Sequence, residues 1–156
     1  MTTARPQLAD FLCFSIYSAN LAFGKAYKPL LDRRGITYTQ YIAIVALYDA
    51  DHQTVSGLGE KLFLESNTLT PILKKLEALG YVTRRRDPDD ERQVVVSLTE
   101  AGRELREQSY EMELGAATGL SVEEMRAMQK GIAKLRDNLR EHAGTTSTRR
   151  SHARTR

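Results

Sequence analysis

The chain has 156 residues, of which 41% are hydrophobic and 28% are charged. This length suits a single domain, since domains usually hold about 100–200 residues. No stretch approaches the roughly 18 consecutive apolar residues that a membrane span needs, and Asp10 interrupts the start where a signal peptide would be apolar. A single cysteine excludes an internal disulfide framework and a multi-cysteine metal site. We therefore expect a cytoplasmic protein with no membrane partner.

The positive charge of the chain is concentrated at its end. Lysine and arginine number 23 against 20 aspartates and glutamates, and residues 144–156 contain four arginines and no acid. The rest of the chain is therefore nearly neutral. We predict one folded unit over residues 1–143 and a basic, disordered tail over residues 144–156, because a small, polar and basic segment cannot bury an apolar core. Bulk charge alone does not indicate nucleic-acid binding.

The first predicted element is a long and strongly apolar helix. Apolar side chains recur at three- and four-residue steps across residues 8–31, and Gly35 provides the left-handed residue that ends many helices. The apolar positions cover two faces, so we expect this helix to be covered from more than one side. Thr37 and Gln40 then have the spacing of a capping box and predict the start of a second helix.

The middle of the chain is built from short and well-punctuated elements. Thr54 is placed to cap a short helix, and Ser66 is placed to cap another that runs to Leu79 and is ended by the glycine that follows. Alternating segments at residues 81–86 and 93–98, separated by a turn-rich polar stretch, predict a β-hairpin.

Two more helices complete the order of elements. Thr99 starts one that we expect to run towards Ala117, and Ser121 with Glu124 forms a second capping box. Apolar side chains then mark one face of a final amphipathic helix. The predicted fold is mainly α with a small β-hairpin, in the order helix, helix, helix-turn-helix, hairpin, helix, helix.

The second helix of the predicted helix-turn-helix has a polar side. That side carries small hydrogen-bonding groups followed by two cations: Ser66, Asn67, Thr68, Thr70, Lys74 and Lys75. A helix that enters the major groove of DNA needs short polar groups for base edges and cations for phosphates. The hairpin adds Arg84 and Arg86 on one strand face and Arg92 beyond its tip, where an arginine can enter the minor groove. The alternative is an ordinary solvated helix face and a hairpin that only packs.

The run over residues 81–102 resembles the wing and the following helix of MarR-family transcription regulators. This resemblance implies a winged helix-turn-helix over about residues 37–98. It also implies a homodimer in which the first and last helices, about 8–31 and 100–142, interleave. The expected partner is a pseudo-palindromic operator in double-stranded DNA.

The wing tip matches the family pattern with one exception. Asp87 and Asp90 correspond to the two acids, which the resemblance implies shape the wing. Asp89 stands where the family usually has an arginine. Arg92 matches the remaining arginine and is therefore expected to carry more of the minor-groove contact.

Cys13 lies near the start of the first predicted helix. A lone cytosolic cysteine is most often a small buried hydrophobe. At a helix N-terminus, however, the positive end of the helix dipole favours the thiolate, which is the form that peroxides oxidise to sulfenic acid. Position alone therefore leaves both a packing role and a redox role open.

The surroundings of Cys13 resemble the OhrR branch of the family, whose members sense organic hydroperoxides. The matches are Leu12-Cys13-Phe14 with Tyr17, the tyrosines Tyr27 and Tyr38, and the segment at residues 65–71. The resemblance implies that Tyr27 and Tyr38 of the partner subunit donate hydrogen bonds to the thiolate in a largely apolar pocket. Without the resemblance, both tyrosines would be ordinary core or interface aromatics.

These observations lead to one hypothesis and three alternatives. We expect a repressor, with no cofactor and no enzymatic activity, that leaves its operator when an organic hydroperoxide oxidises Cys13. Because the chain has no second cysteine, the sulfenic acid is expected to react with a small cellular thiol or to overoxidise. The alternatives are a MarR-type regulator released by a small phenolic ligand, a thiol peroxidase using Cys13, and a structural DNA-coating protein.

Overall fold

The computed structural model describes residues 7–110 and 115–152. A short 3-10 helix at Leu8–Asp10 precedes the first α-helix. The α-helices of the described residues are α1 Leu12–Arg34, α2 Tyr38–Asp49, α3 Val55–Leu62, α4 Ser66–Ala78, α5 Glu100–Tyr110, α6 Gly115–Thr118 and α7 Val122–His152. The strands are β1 Gln53–Thr54, β2 Val82–Arg86 and β3 Val94–Leu98. The predicted class, mainly α with a small hairpin, is confirmed.

The first helix begins later than its sequence pattern predicts. Phe11 has an extended backbone and separates the 3-10 helix from α1, which therefore starts at Leu12 instead of residue 8. Asp10 closes the preceding turn by accepting a hydrogen bond from the Gln7 backbone N–H at 2.7 Å, and this makes the turn a separate unit. α1 then continues past its predicted end, and Gly35 ends it in the left-handed conformation.

Side-chain caps set the starts of α2 and α3. Thr37 accepts a hydrogen bond from the Gln40 N–H, and the Gln40 side chain accepts one from the Thr37 N–H, so the predicted capping box is confirmed. Thr54 accepts a hydrogen bond from the Gly57 N–H at 3.1 Å, which confirms the predicted cap of α3.

α4 begins one residue earlier than predicted. The prediction of Ser66 as the N-cap is wrong, because the cap is Glu65 and Ser66 is the first helical residue. The Glu65 carbonyl accepts the N–H groups of Thr68 and Leu69, each at 3.0 Å, and thereby starts the hydrogen-bond ladder of the helix. The helix stops at Ala78, one residue short of its predicted end.

The predicted hairpin is confirmed, and a third strand joins it. β2 and β3 pair antiparallel, from Val82 opposite Leu98 to Arg86 opposite Val94. β1 pairs antiparallel with β3 and gives the sheet order β1-β3-β2. The sequence pattern missed β1 because its two residues are too few to show the alternation of a strand.

One apolar core joins α2, the helix-turn-helix of α3 and α4, the hairpin and α5. The largest fully buried side chains are Ile44, Leu47, Leu58, Leu69, Leu73, Leu76, Val82, Val96 and Leu105. Burying a side chain of this kind contributes about 1.5–3 kcal/mol. One side of α4 is therefore fixed to the core, and its opposite side faces outward.

α1 lies mostly outside this core. Its buried residue is Leu31, whereas Leu12, Tyr17, Leu21 and Phe23 expose between 43% and 61% of their surface. The single chain therefore leaves most of the apolar surface of α1 uncovered. The expected burial of this helix from more than one side is therefore not found within the first compact unit, residues 1–112, and it stays a prediction.

The chain divides into two compact units, residues 1–112 and residues 113–156. The second unit contains α6 and α7. Its predicted capping box is confirmed, because the Ser121 N–H donates to the Glu124 carboxylate at 2.8 Å and the Glu124 N–H donates to the Ser121 hydroxyl at 3.2 Å. Neither α7 nor any other helix of the described residues has the length and apolarity to cross a bilayer.

α7 is helical to His152, so helix reaches into the segment 144–156. The basic, disordered tail expected there stays a prediction. The predicted run of the preceding helix towards Ala117 crosses residues 111–114, which lie outside the described residues.

Gly102, in the first turn of α5, lies directly against the chain that enters β2. A Cβ at this position would fall inside the contact distance of the Tyr81 carbonyl oxygen and 2.9 Å from Leu98 Cδ2. That backbone cannot move without displacing the hairpin. We therefore expect Gly102→Ala to lower the free energy of unfolding by about 1–3 kcal/mol, measured by denaturant unfolding followed by circular dichroism.

Gly131→Ala, in α7, is the matched control. A Cβ there meets no atom within 4 Å, so this substitution should be neutral or should stabilise the protein by up to about 1 kcal/mol. An equal loss of stability in both variants would contradict the steric interpretation of Gly102.

Candidate redox site and DNA interface

The cysteine lies at the exposed start of α1. Cys13 is the second residue of that helix, and its side chain is accessible to solvent. Together with Leu8, Phe11, Phe14 and Tyr17 it lines an open apolar depression of about 380 Å³. None of those four neighbours carries a basic group, so the depression favours an alkyl group over a charged one. In the single chain Cys13 is not a buried core residue.

Tyr27 and Tyr38 are brought together where α1 meets the start of α2. Their ring centroids are 5.4 Å apart, and the Tyr41 ring lies at the same distance from Tyr27. Burial, and next the neighbouring Tyr41, raise the pKa of Tyr38 above its ordinary value. Tyr38 therefore keeps its phenolic proton throughout the physiological pH range, as a hydrogen-bond donor must.

Within one chain the thiol and these tyrosines are far apart. Cys13 and Tyr27 belong to the same helix and are separated by fourteen residues. At 1.5 Å per residue this places them about 21 Å apart along the helix axis. The structure therefore brings Tyr27 and Tyr38 to each other and does not bring either to Cys13 of the same chain.

The outer face of α4 carries the predicted DNA-contacting side chains. Five of the six are exposed and one is half-buried: Ser66, Asn67, Thr68, Lys74, Lys75 and, half-buried, Thr70. The Thr70 hydroxyl donates to the Ser66 carbonyl at 2.7 Å, so its oxygen remains an acceptor for an outside donor. This face is polar and uncovered, while the opposite face is held in the core.

The wing arginines differ in their surroundings. Arg84 is paired with Glu77 of α4, with its Nη2 2.9 Å from the carboxylate. The Arg86 guanidinium donates to the Glu91 carbonyl at 3.1 Å. Arg92 exposes 96% of its side chain and lies 3.9 Å from Asp90. Of these three, Arg92 projects furthest into solvent and Arg84 is the most engaged within the protein.

Two carboxylates shape the turn at the wing tip. Asp87 accepts a hydrogen bond from the Asp89 N–H at 2.9 Å, and Asp90 accepts one from the Arg92 N–H at 3.1 Å. The second oxygen of Asp90 accepts from the Gln93 side chain at 3.1 Å. Such side-chain-to-backbone bonds two residues apart mimic backbone turns, and they hold Arg92 at the tip.

Asp51, which the sequence analysis did not single out, fastens the base of the wing. Its Oδ1 accepts the N–H groups of His52 at 2.8 Å and Leu98 at 2.9 Å, and its Oδ2 pairs with Arg103 of α5. Burial would raise the pKa of Asp51, but the two backbone hydrogen bonds and the nearby Arg103 charge lower it overall. These contacts join the start of β1, the end of β3 and α5 at one carboxylate.

The chain matches known proteins over most of its length. Residues 25–108 match the family described as transcriptional regulator SarA/Rot. The HTH-type transcriptional regulator TtmR of Methylorubrum extorquens is 44% identical over 144 residues, covering 90% of this chain and 74% of TtmR. The organic hydroperoxide resistance transcriptional regulator of Bacillus subtilis is 40% identical over 136 residues, covering 85% of this chain and 92% of that regulator.

The fold is similar to that of a solved regulator from Staphylococcus epidermidis, AbfR. The structure of reduced AbfR bound to DNA superimposes with a TM-score of 0.72 at 35% identity, covering 86% of this chain and 93% of the AbfR chain. AbfR has also been solved in an overoxidised form bound to DNA and in a disulfide form. The predicted winged helix-turn-helix fold is confirmed.

The lowered pKa of Asp51 predicts a loss of stability in acid. The stabilisation is fully present above the ordinary carboxyl pKa of 3.8 and is lost as the pH falls through the lower value of the folded protein. We expect Asp51→Asn to lower the free energy of unfolding by about 1–3 kcal/mol at neutral pH and to flatten its decline in acid. Urea unfolding between pH 2 and pH 7 measures both. Asp32→Asn, which removes an exposed carboxylate paired with Lys28, should change neither.

Proposed function

The chain belongs to the SarA/Rot and MarR-type family of transcriptional regulators, and from that premise we propose that it is a homodimeric DNA-binding repressor that senses organic hydroperoxides through Cys13. The reduced dimer binds a pseudo-palindromic operator in the cytoplasm, and oxidation of Cys13 releases it. One observation carries the proposal: the only cysteine of the chain is exposed in an apolar depression at a helix start.

A second copy of the chain completes the redox site. The distance of about 21 Å along α1 prevents Tyr27 from reaching Cys13 of its own chain. The exposed apolar surface of α1 needs a covering partner, and an antiparallel second α1 would bring each cysteine to the tyrosine end of its neighbour. In this arrangement Tyr27 and Tyr38 of the partner subunit donate to the thiolate, and such charge-assisted hydrogen bonds stabilise it.

The proposed reaction transfers one oxygen atom from peroxide to sulfur. The Cys13 thiolate attacks the terminal oxygen of an alkyl hydroperoxide, and the O–O bond breaks. The alkoxide leaves and takes up a proton to become an alcohol, while the sulfur becomes a sulfenic acid. The apolar lining around Cys13 favours an alkyl peroxide over hydrogen peroxide, because alkyl groups bury apolar surface there.

Two products can follow the sulfenic acid. A small cellular thiol attacks the oxidised sulfur, forms a mixed disulfide and releases water. A second peroxide instead converts the sulfenic acid to sulfinic acid, which thiols do not reduce. Pairing with a second cysteine of the chain is excluded because Cys13 is the only one.

Release from DNA follows from the geometry of a dimer. The two recognition helices must reach half-sites about one turn of DNA, or about 34–36 Å, apart. An added oxygen or a bulky thiol adduct at the subunit boundary would change their spacing. A differential free energy of about 3 kcal/mol between the two states is sufficient for a loss of affinity of roughly 100-fold.

The test compares the reduced and oxidised protein on DNA that the protein itself selects. Duplexes bound by reduced wild type are enriched from a random pool, and binding is then titrated with cumene hydroperoxide and a small thiol by fluorescence anisotropy. We expect the wild type to lose about 100-fold in affinity and Cys13→Ser to lose none. Hydrogen peroxide at the same concentration should release less protein.

Three outcomes would favour other functions. Equal release of wild type and Cys13→Ser would contradict the cysteine switch. Release of both by a phenolic carboxylate under reducing conditions would indicate a ligand-controlled regulator. Continuous consumption of hydroperoxide with added thiol would indicate a peroxidase. Mass spectrometry of the treated chain identifies which product of Cys13 accompanies release.

Arg92 provides a separate test of the DNA interface. We expect Arg92→Ala to weaken binding to the selected duplex and to reduce the salt dependence of log K by about one charge, a slope change of about 0.9. Arg92→Lys should keep that slope and lose only the preference for a narrow minor groove. An unchanged slope for Arg92→Ala would show that the exposed guanidinium does not contact DNA.

A further inference from the structure

A very short hinge joins the DNA-reading helix α4 to the wing. Residues 79–81 alone connect Ala78, the last residue of α4, to Val82, the first residue of β2. Within this hinge Gly80 has a φ of 81°, in the left-handed region that glycine adopts at little cost. The angle between α4 and the wing therefore depends on contacts that cross the hinge.

One ion pair spans the hinge. Glu77 Oε1 accepts the backbone N–H of Arg84 at 3.1 Å. Glu77 Oε2 accepts the Nε–H and an Nη2–H of the same arginine at 3.0 and 2.9 Å. The carboxylate therefore holds both the backbone and the side chain of one residue of β2, and the Arg84 side chain is only 21% exposed.

A contact of this kind fixes orientation as well as distance. Two hydrogen bonds to the guanidinium and one to the backbone cannot all be kept while β2 rotates against α4. A five-residue strand is about 17 Å long, so a rotation of roughly 10° at the hinge would move the wing tip by about 3 Å. That displacement equals the length of a hydrogen bond and would separate Arg92 from its groove.

We propose that Glu77 and Arg84 are positioning residues that hold the wing at a fixed angle to α4, so that α4 and Arg92 reach neighbouring grooves of one half-site together. This inference rests on the proposed function. Arg84, which the sequence placed among the DNA contacts, holds the wing through Glu77 and does not itself contact DNA. Glu77, although an acid near a DNA-binding surface, favours binding.

The sign of the Glu77 effect separates positioning from direct contact. Removing an acid near DNA ordinarily strengthens attraction to phosphates. If Glu77 positions the wing, its removal weakens operator binding instead. If Arg84 contacts phosphate directly, Arg84→Ala lowers the salt slope and Glu77→Ala does not, whereas loss of positioning removes the Arg92 contact in both variants and lowers the slope by about 0.9 in each.

The experiment is a double-mutant cycle on the reduced, full-length protein. Affinities of wild type, Glu77→Ala, Arg84→Ala and the double variant are measured for the selected duplex and for a scrambled duplex over a range of salt. Each single variant should weaken binding to the selected duplex about tenfold, and the double variant should lose no more than either single. The salt slope on the selected duplex should fall by about 0.9 in both single variants alike, because each displaces Arg92. Binding to the scrambled duplex should change less than binding to the selected duplex.

Two further variants control for folding and for charge. Glu77→Gln keeps an acceptor for the Arg84 N–H and removes the charge, so it should show a smaller loss on the selected duplex while unfolding at nearly the wild-type temperature. Asp32→Ala breaks the exposed Lys28–Asp32 pair of α1, which spans no hinge. It should change the affinity for neither the selected nor the scrambled duplex. Should the alanine variants not fold, Glu77→Gln decides, and wild-type affinity in that variant overturns the inference.

Other results would also overturn it. Tighter binding by Glu77→Ala, additive losses in the cycle, or a salt slope that is reduced in Arg84→Ala but not in Glu77→Ala would each show that the pair does not position the wing. A wild type that selects no duplex at all overturns the proposed function and this inference with it. A wild type that selects DNA, with variants that bind it equally well, overturns this inference alone.

Discussion

The length of α1 between Cys13 and Tyr27 constrains which hydrogen-bond donors can reach the thiol. Cys13 and Tyr27 are fixed to α1 fourteen positions apart, and a helix does not bend enough to bring them together. A Cys13 thiol with Tyr27 or Tyr38 as its donors is therefore possible only between chains. The same helix exposes apolar side chains, so the proposed second copy would supply both the donors of the proposed site and the burial of its scaffold.

The proposed DNA-reading elements, α4 and the wing, are anchored by carboxylates that bond to the protein itself. The hairpin is short, and apolar burial of Val82 and Val96 anchors only its inner face. Asp51 fastens the end of β3 to α5, and Glu77 fastens β2 to α4, so each strand of the wing has its own charge-assisted anchor. Polar anchors of this kind specify orientation, which an apolar contact leaves loosely defined.

Local signals in the sequence were sufficient for most helices and strands and for the exposed polar face of α4, whereas the winged helix-turn-helix fold was expected from the family resemblance. Capping boxes, the hairpin alternation and the polar face of α4 are all short-range patterns, and the structure agrees with them to within a residue or a few at element ends. β1 escaped because two residues carry no period. Glu77 and Asp51 escaped because their partners, Arg84 and Arg103, are recognised only once the chain has folded. Arg84 looked like the other wing arginines for the same reason.

α2 carries Tyr38 of the proposed redox site and belongs to the same apolar core as the helix-turn-helix and the wing. This gives the proposed switch a physical route. Tyr38 opens α2, and on the same helix the Tyr41 hydroxyl lies 2.6 Å from the Ser109 hydroxyl of α5. α5 in turn holds Asp51 through Arg103 at the base of the wing. Because the core between these elements is closely packed, α2 cannot shift alone, and a change at the tyrosines must be shared by α5 and the wing or be resisted by them. In the proposed switch, oxidation of Cys13 would favour one of two packed arrangements, and a differential free energy of a few kcal/mol at the subunit boundary would be enough to select it.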